Sequence, residues 1–446
     1  MKTQNNKEIR WFLNELPVLT KEKIIDYSIE KKLAEYYLTK IKKIDTNKIV
    51  FTVLSIIASL FIIGGIILLI GYNWSALTQE VKTAIAFFLL LISQGLSLYF
   101  LFISKKELHA AVKEGISLFW AISFGAAVAA IGQIYHIPAD TEKFIFIWCI
   151  SSLVIIYVFN SLSVVALYLY LSITLISIMQ NNDSVGLFFL PLLAVLIPHY
   201  LKEYKNYSSI RAALYNYFLI TATIIGLGIS LEKNIPGLWI VCYSSLFVFY
   251  YLLGILYENK EKEESLFYSP LKIAGIIGAA VFAYLLSWEW AWEEIGWFHY
   301  RVGEKFHDLA SIYDYSISGL LPLLGIFLAF LIIKKKKFFN YILSSFGLLI
   351  VFLYLFVTYT ENTLAVTWII NLYILTLALY GFYAGYKKNS LLTININMLF
   401  LTTTIVSRFF DENMSLLGRG IVFIICGIII LLVNFKFVKK PRKQNE

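Results

Sequence analysis

IVFTVLSIIASLFIIGGIILLIG, residues 49–71, runs for 23 residues without one charged side chain. At 1.5 Å per residue a helix of that length reaches about 35 Å, enough to cross a bilayer core of about 30 Å. The pattern recurs along the chain. Fourteen apolar runs are read as spans, at approximately 49–71, 82–103, 115–135, 144–160, 161–180, 184–200, 211–231, 237–257, 269–288, 315–333, 338–359, 363–386, 390–408 and 417–437. Of the 446 residues 59% are apolar and 15% charged, against about 45–50% and about 25% in soluble domains. Mean hydropathy is +0.73. These values exclude an ordinary soluble enzyme, a disordered chain and a fibrous protein. The fold class is all-α, a polytopic transmembrane helix bundle of about 14 spans.

The basic residues fix an orientation, because cytoplasmic loops hold the Lys/Arg excess. With the N-terminus inside and fourteen alternating spans, the inside segments hold 31 of the 38 Lys/Arg and 15 of the 29 Asp/Glu. The predicted net charge is +16 inside and −7 outside, which sums to the +9 of the chain. Lys105-Lys106, Lys202, Lys205, Lys334 to Lys337, Lys387-Lys388 and the Lys439-Lys440-Pro441-Arg442-Lys443 tail fall on one face. Both termini are therefore predicted to be cytoplasmic. The sequence pI of about 9.1 follows from this asymmetry, and no nucleic-acid partner is read from it.

Three segments follow. Residues 1–47 form a cytoplasmic amphipathic segment. Ile25, Ile29, Leu33, Tyr36 or Tyr37, Ile41 and Ile44 recur at helical spacing, with Thr20 as the candidate cap. This helix suits the inner leaflet, the membrane domain or a cytoplasmic protein partner. Residues 48–437 form the transmembrane bundle and 438–446 a basic cytoplasmic tail. Two weak points stand out in the bundle. Spans four and five meet at Asn160-Ser161-Leu162-Ser163 with almost no loop, and the span at 184–200 holds Pro191 and Pro198, which predicts a kink or re-entrant turn. The outer loop 288–314 carries Trp288, Trp290, Trp292 and Trp297, read as an anchor at the headgroup level. Gly381/Gly385 and Gly125/Ala129 are small-residue faces for close helix packing.

Chemistry is sparse. Cys149, Cys242 and Cys426 lie singly in apolar runs, so no disulfide framework, metal site or cofactor motif is read. No charged residue falls near the middle of a run, which argues against a proton- or sodium-coupled carrier. Asn371, Asn395 and Asn397 are read as bonding between helices. Polar groups gather instead at the predicted outer span ends. Asn73, Trp74, Gln133, Tyr135, His136, Asp140, His299, Arg301, His307, Arg408, Asp411 and Arg419 are the candidate outer-face binding residues. A histidine there can act as a base, and Arg301, Arg408 and Arg419 suit a phosphate or carboxylate.

Tyr72-Asn73-Trp74 and Gly132-Gln133-Ile134-Tyr135-His136-Ile137-Pro138-Ala139-Asp140 carry a resemblance. The chain resembles the bacterial domain-of-unknown-function 2157 membrane family over about residues 10–180. That family has a cytoplasmic helical start, a glycine-rich span ending in an Asn-Trp-type motif, and a later span ending in a Gly-Gln-Ile-Tyr-like motif. Arg408-Phe409-Phe410-Asp411 and Leu417-Gly418-Arg419-Gly420 resemble its ending. The resemblance implies a multi-pass protein of the bacterial cytoplasmic (inner) membrane, and no activity.

Three functional readings remain. The first is a transporter or flippase-like carrier of an amphiphilic, anionic substrate. The second is a membrane enzyme acting on a lipid-linked substrate at the outer face. The third is a non-catalytic envelope accessory or sensor protein. The bilayer is a partner in all three, and an amphiphilic or lipid-linked ligand in the first two.

Overall fold

A computed structural model describes most of residues 12–40, then 74–103, 110–138, 140–179, 185–204, 210–231, 237–257, 269–293, 309–335, 340–387, 390–408 and five positions between 417 and 428. The chain divides into two compact units, Met1–Lys82 and Thr83–Glu446. In the first, α1 (Tyr27–Lys40) is the amphipathic helix. It starts behind Asp26, whose carbonyl accepts the Ile29 and Glu30 amides. Thr20 does not cap it, because its hydroxyl turns back to the Leu16 carbonyl at 3.1 Å.

The second unit is helical throughout its described residues, with no strand among them. It opens within α2 (Gln79–Leu98), which continues as a π-helical turn to Ile103. After it come α3 (Ala110–Ile134), α4 (Thr141–Phe159), α5 (Leu162–Ile178), α6 (Val185–Ala194), α7 (Ile197–Tyr204), α8 (Ile210–Leu231) and α9 (Leu238–Tyr257). Then come α10 (Pro270–Leu286), the short α11 (Trp290–Glu293), α12 (Leu309–Lys334), α13 (Tyr341–Thr360), α14 (Thr363–Lys387) and α15 (Leu391–Arg408).

Eight of these helices are long and apolar enough to cross a membrane. The predicted spans 161–180, 269–288 and 390–408 are shorter apolar helices. The span at 184–200 is broken into α6 and α7, as Pro191 and Pro198 foretold. The runs 49–71 and, for the most part, 417–437 lie outside the described residues. Large apolar side chains face outward along the helices, with Phe102 80%, Trp368 75% and Leu399 68% exposed. Water does not tolerate such apolar surface on a monomer, so lipid is the fitting solvent.

Two hydrophobic cores sit inside. One is built mainly from α3 to α8, the other from α9, α10, α12, α13 and α14. Helix α9 reaches both, packs against α10, α12 and α13, and is buried almost all round. A helix apolar on every face belongs in that position. Small residues allow the close approaches. A Cβ on Gly275 would meet the Tyr251 backbone, and one on Gly254 the Lys272 backbone. Gly125 admits the Trp148 ring, Gly381 the Asn397 side chain and Gly385 the Ile394 backbone, so the two small-residue faces read from the sequence are packing surfaces. Asn371 bonds across helices to the Ser287 carbonyl at 3.2 Å. Asn397 bonds within its own helix, and Asn395 is exposed.

The tryptophan loop holds a surprise. Trp290 is exposed, as an interfacial residue should be. Trp292 is completely buried in the second core, its Nε1 donating to the Leu286 carbonyl at 2.7 Å. It closes the end of α10 instead of lying among headgroups.

Candidate functional site

Among the twelve outer-face candidates, the stretch from Gly132 to Asp140 is the best described. Helix α3 ends there in a Schellman cap. The Ile137 amide bonds the Gly132 carbonyl at 3.0 Å, and the His136 amide bonds the Gln133 carbonyl. His136 takes the left-handed conformation (φ 49°) that this cap requires at its position. Pro138 follows, where the helix cannot continue. Asp140 then caps α4, accepting the Lys143 amide at 3.0 Å and pairing with the Lys143 ammonium at 2.7 Å. That side-chain bond, with the amide bond, holds the Asp140 carboxyl below the usual carboxylate range. The Tyr135 hydroxyl accepts from Thr83 at 3.2 Å.

Gln133, Tyr135, His136 and Asp140 are all exposed, so they form a capped turn and line no pocket with one another. In the N-terminal unit, Trp74 opens a 3-10 turn, and the Lys82 ammonium lies 5.6 Å from its ring centre. Arg408 ends α15, but its side chain lies outside the described residues. Asn73, His299, Arg301, His307, Asp411 and Arg419 lie outside them altogether.

The densest polar chemistry sits elsewhere, at the end of the bundle that the basic loops assign to the inside. Arg211, at the start of α8, donates to Glu114 of α3 at 2.6 Å, to Glu203 of α7 at 2.9 Å, and to the Asn160 carbonyl. Asn160 Nδ2 donates to Glu203 at 2.7 Å. Glu114 also receives the Ser161 hydroxyl at 2.7 Å and the Leu162 and Ser163 amides at 3.1 and 2.8 Å. Its negative charge thus sits on the N-terminus of α5, where the helix dipole favours it.

This arrangement explains how two helices meet with almost no loop. Asn160 turns left-handed (φ 50°) to end α4, and Ser161 caps α5 at once. The geometry also bears on the crossings. The chain leaves this end at Ser161 through α5, about 25 Å of helix, and is back at it by Glu203. The broken pair α6–α7 therefore makes the return.

The break is built around tyrosines. Pro198 has no amide to offer the Ala194 carbonyl one turn back, which loosens the chain there. The Leu192 and Val195 carbonyls, at the loose end of α6, accept the hydroxyls of Tyr168 (2.9 Å) and Tyr157 (2.5 Å). Phe189 is seated against Gly226 of α8, where a Cβ would overlap its ring. Just past the break, His199 is buried, its Nδ1 3.2 Å from the Tyr215 hydroxyl. Tyr200 donates to Asn216 Oδ1 at 2.8 Å. Three buried polar atoms have no partner here: His199 Nε2, Asn216 Nδ2 and Asn160 Oδ1. Buried polar groups are almost always satisfied, so this is where a polar ligand atom or water fits.

Sequence reasoning counted Glu114, Glu203 and Arg211 as loop charges and passed over His199. The usable signal was the missing loop at 160–163, which demands capping partners from other segments.

Residues 18–165 match the family model described as Predicted membrane protein (DUF2157). The match takes in α1 to the start of α5, including the capped turn, Glu114, Asn160 and Ser161. No curated protein and no solved structure matches the chain.

Proposed function

We propose that the protein is a carrier for an amphiphilic substrate in the bacterial cytoplasmic membrane, with both termini inside. The broken α6–α7 crossing, with buried and unpaired His199 Nε2 and Asn216 Nδ2 beside it, is the observation that carries this reading. Carriers bind substrate at discontinuous helices, whose broken backbone is free to rearrange. His199 Nδ1 and the Tyr215 hydroxyl share one hydrogen bond whose direction follows the tautomer, so Nε2 offers a polar contact as donor or acceptor. Asn216 Nδ2 is a donor, which suits an oxygen-rich head group. The surrounding tyrosine and aliphatic side chains suit its tail. Arg211 is engaged by two carboxylates, so the preference for an anionic head group rests on Arg301, Arg408 and Arg419 at the predicted outer ends.

The enzyme reading rests on His299, Arg301 and His307, and the accessory reading on residues 1–47. Neither has a described geometry to match the broken crossing. The test is movement of a labelled polyprenyl phosphate by the full chain in liposomes. The carrier reading expects movement above empty liposomes and a loss of about tenfold, worth about 1.4 kcal/mol of recognition, in His199→Phe and Asn216→Leu. No movement under any imposed gradient would refute it.

A further inference from the structure

Asp314 lies in the second turn of α12, about 8 Å along the helix from Leu309. It is completely buried, and neither carboxylate oxygen has a hydrogen-bond partner. Only its backbone carbonyl is engaged, by the Ser318 hydroxyl at 2.7 Å. Ser318 in turn sits 3.0 Å from Cys242 Sγ of α9. The Tyr313 hydroxyl, beside Ser230 at the end of α8, is also buried without a partner. Among the described residues, the titratable groups that face Asp314 are Cys242 on α9 and Tyr313 and Tyr315 on its own helix. Tyr354 of α13 interacts with Tyr315, and α6, which also packs on α12, has no titratable residue. Among the described residues no cation pairs with it.

A bare carboxylate in such a place is strongly disfavoured, and no neighbour repays its lost hydration. An ionisable residue inside a membrane bundle is there for a use. A purely structural polar group would have found a hydrogen bond, as the Glu114 carboxylate does four times over at the other end of the bundle. The site therefore calls for the smallest cation that can neutralise a carboxylate without further ligands.

We propose that Asp314 is a proton-binding site. The carboxylate takes one proton from water on the predicted outer face, becomes the neutral acid, and returns that proton when the helix end opens to water. This deepens the carrier reading by naming a coupling ion, and the coupling rests on that reading. The proton site itself does not.

Infrared difference spectroscopy of the full chain in nanodiscs, between about pH 6 and about pH 9, tests the site. These conditions lie above the titration of exposed carboxylates. The expected result is a carbonyl-stretch band of a protonated carboxylic acid at the lower pH. It disappears in Asp314→Asn and persists, shifted, in Asp314→Glu. Identical spectra for the full chain and Asp314→Asn would overturn the proposal. Asparagine has the shape of the neutral acid, so Asp314→Asn is expected to keep the parent thermal stability at about pH 6. A large loss at both pH values would mean an ionised carboxylate with a cation partner, and would also overturn it. Liposome transport then separates the two readings. Transport that ignores a pH gradient removes the coupling, whereas the band without any transport removes the carrier and leaves the proton site.

Discussion

Replacing Arg211 by Met removes the charge that ties three segments together while keeping a side chain of similar length. Glu114 and Glu203 would then face each other across the gap with side chains only 20% and 12% exposed. Breaking a fully buried pair costs about 3–5 kcal/mol. Partial exposure lowers that here, and the lost bond to the Asn160 carbonyl adds about 1 kcal/mol, so about 2–4 kcal/mol is expected. At about 2 °C per kcal/mol for a large domain, the melting temperature falls by about 4–8 °C. Cys149 and Cys242 are buried and free, so a thiol-reactive dye reads unfolding of the detergent-solubilised chain. Glu114→Gln keeps most of the hydrogen bonds and should cost less. The double variant should show a coupling of about 1–3 kcal/mol. An Arg211→Met chain that melts within about 1 °C of the parent, or a coupling near zero, would refute the claim that this network holds the α3, α4–α5 and α7–α8 ends together.

Gly226→Ala places a methyl group in the Phe189 ring. It should destabilise the chain by about 1–3 kcal/mol, and Phe189→Leu in the same chain should recover part of the loss, read by the same melting assay. His136→Gly relieves a left-handed residue and should raise stability by about 1 kcal/mol. A drop in stability would mean that the histidine side chain makes a contact worth more than the strain. Asp140 has a depressed carboxyl, so its cap is complete at and above the ordinary carboxylate range and is lost as pH falls through the lower folded value. The parent should therefore lose a small increment of stability on acidification that Asp140→Ala lacks.

The apolar runs were legible because lipid imposes a length and a composition that no other residue can mask. Helices α2 to α5, α8 to α10 and α13 to α15 stand near where hydropathy puts them, and the two prolines marked the α6–α7 break. The polar centre was not legible, because its bonds join residues far apart in the chain. Glu114 and Arg211 are 97 positions apart, and each alone looks like a solvated loop charge. Asp314 was missed for a different reason. The hydropathy run begins at 315, so the acid read as the last residue of a loop, whereas the helix starts at Leu309 and carries it inside. Trp292 was misplaced by averaging, since four tryptophans within ten residues looked like one belt and one of them is a core residue. The Gly132–Asp140 motif was found, and the structure gives His136 the left-handed position of one helix cap and Asp140 the N-cap of the next helix.

Native mass spectrometry of the full chain in nanodiscs tests the carrier claim most directly. One stoichiometric amphiphile with an oxygen-rich head group, retained by the parent and lost from His199→Phe and Asn216→Leu chains that still melt normally, is the expected result. Bulk phospholipid alone, the same in parent and variants, would contradict it.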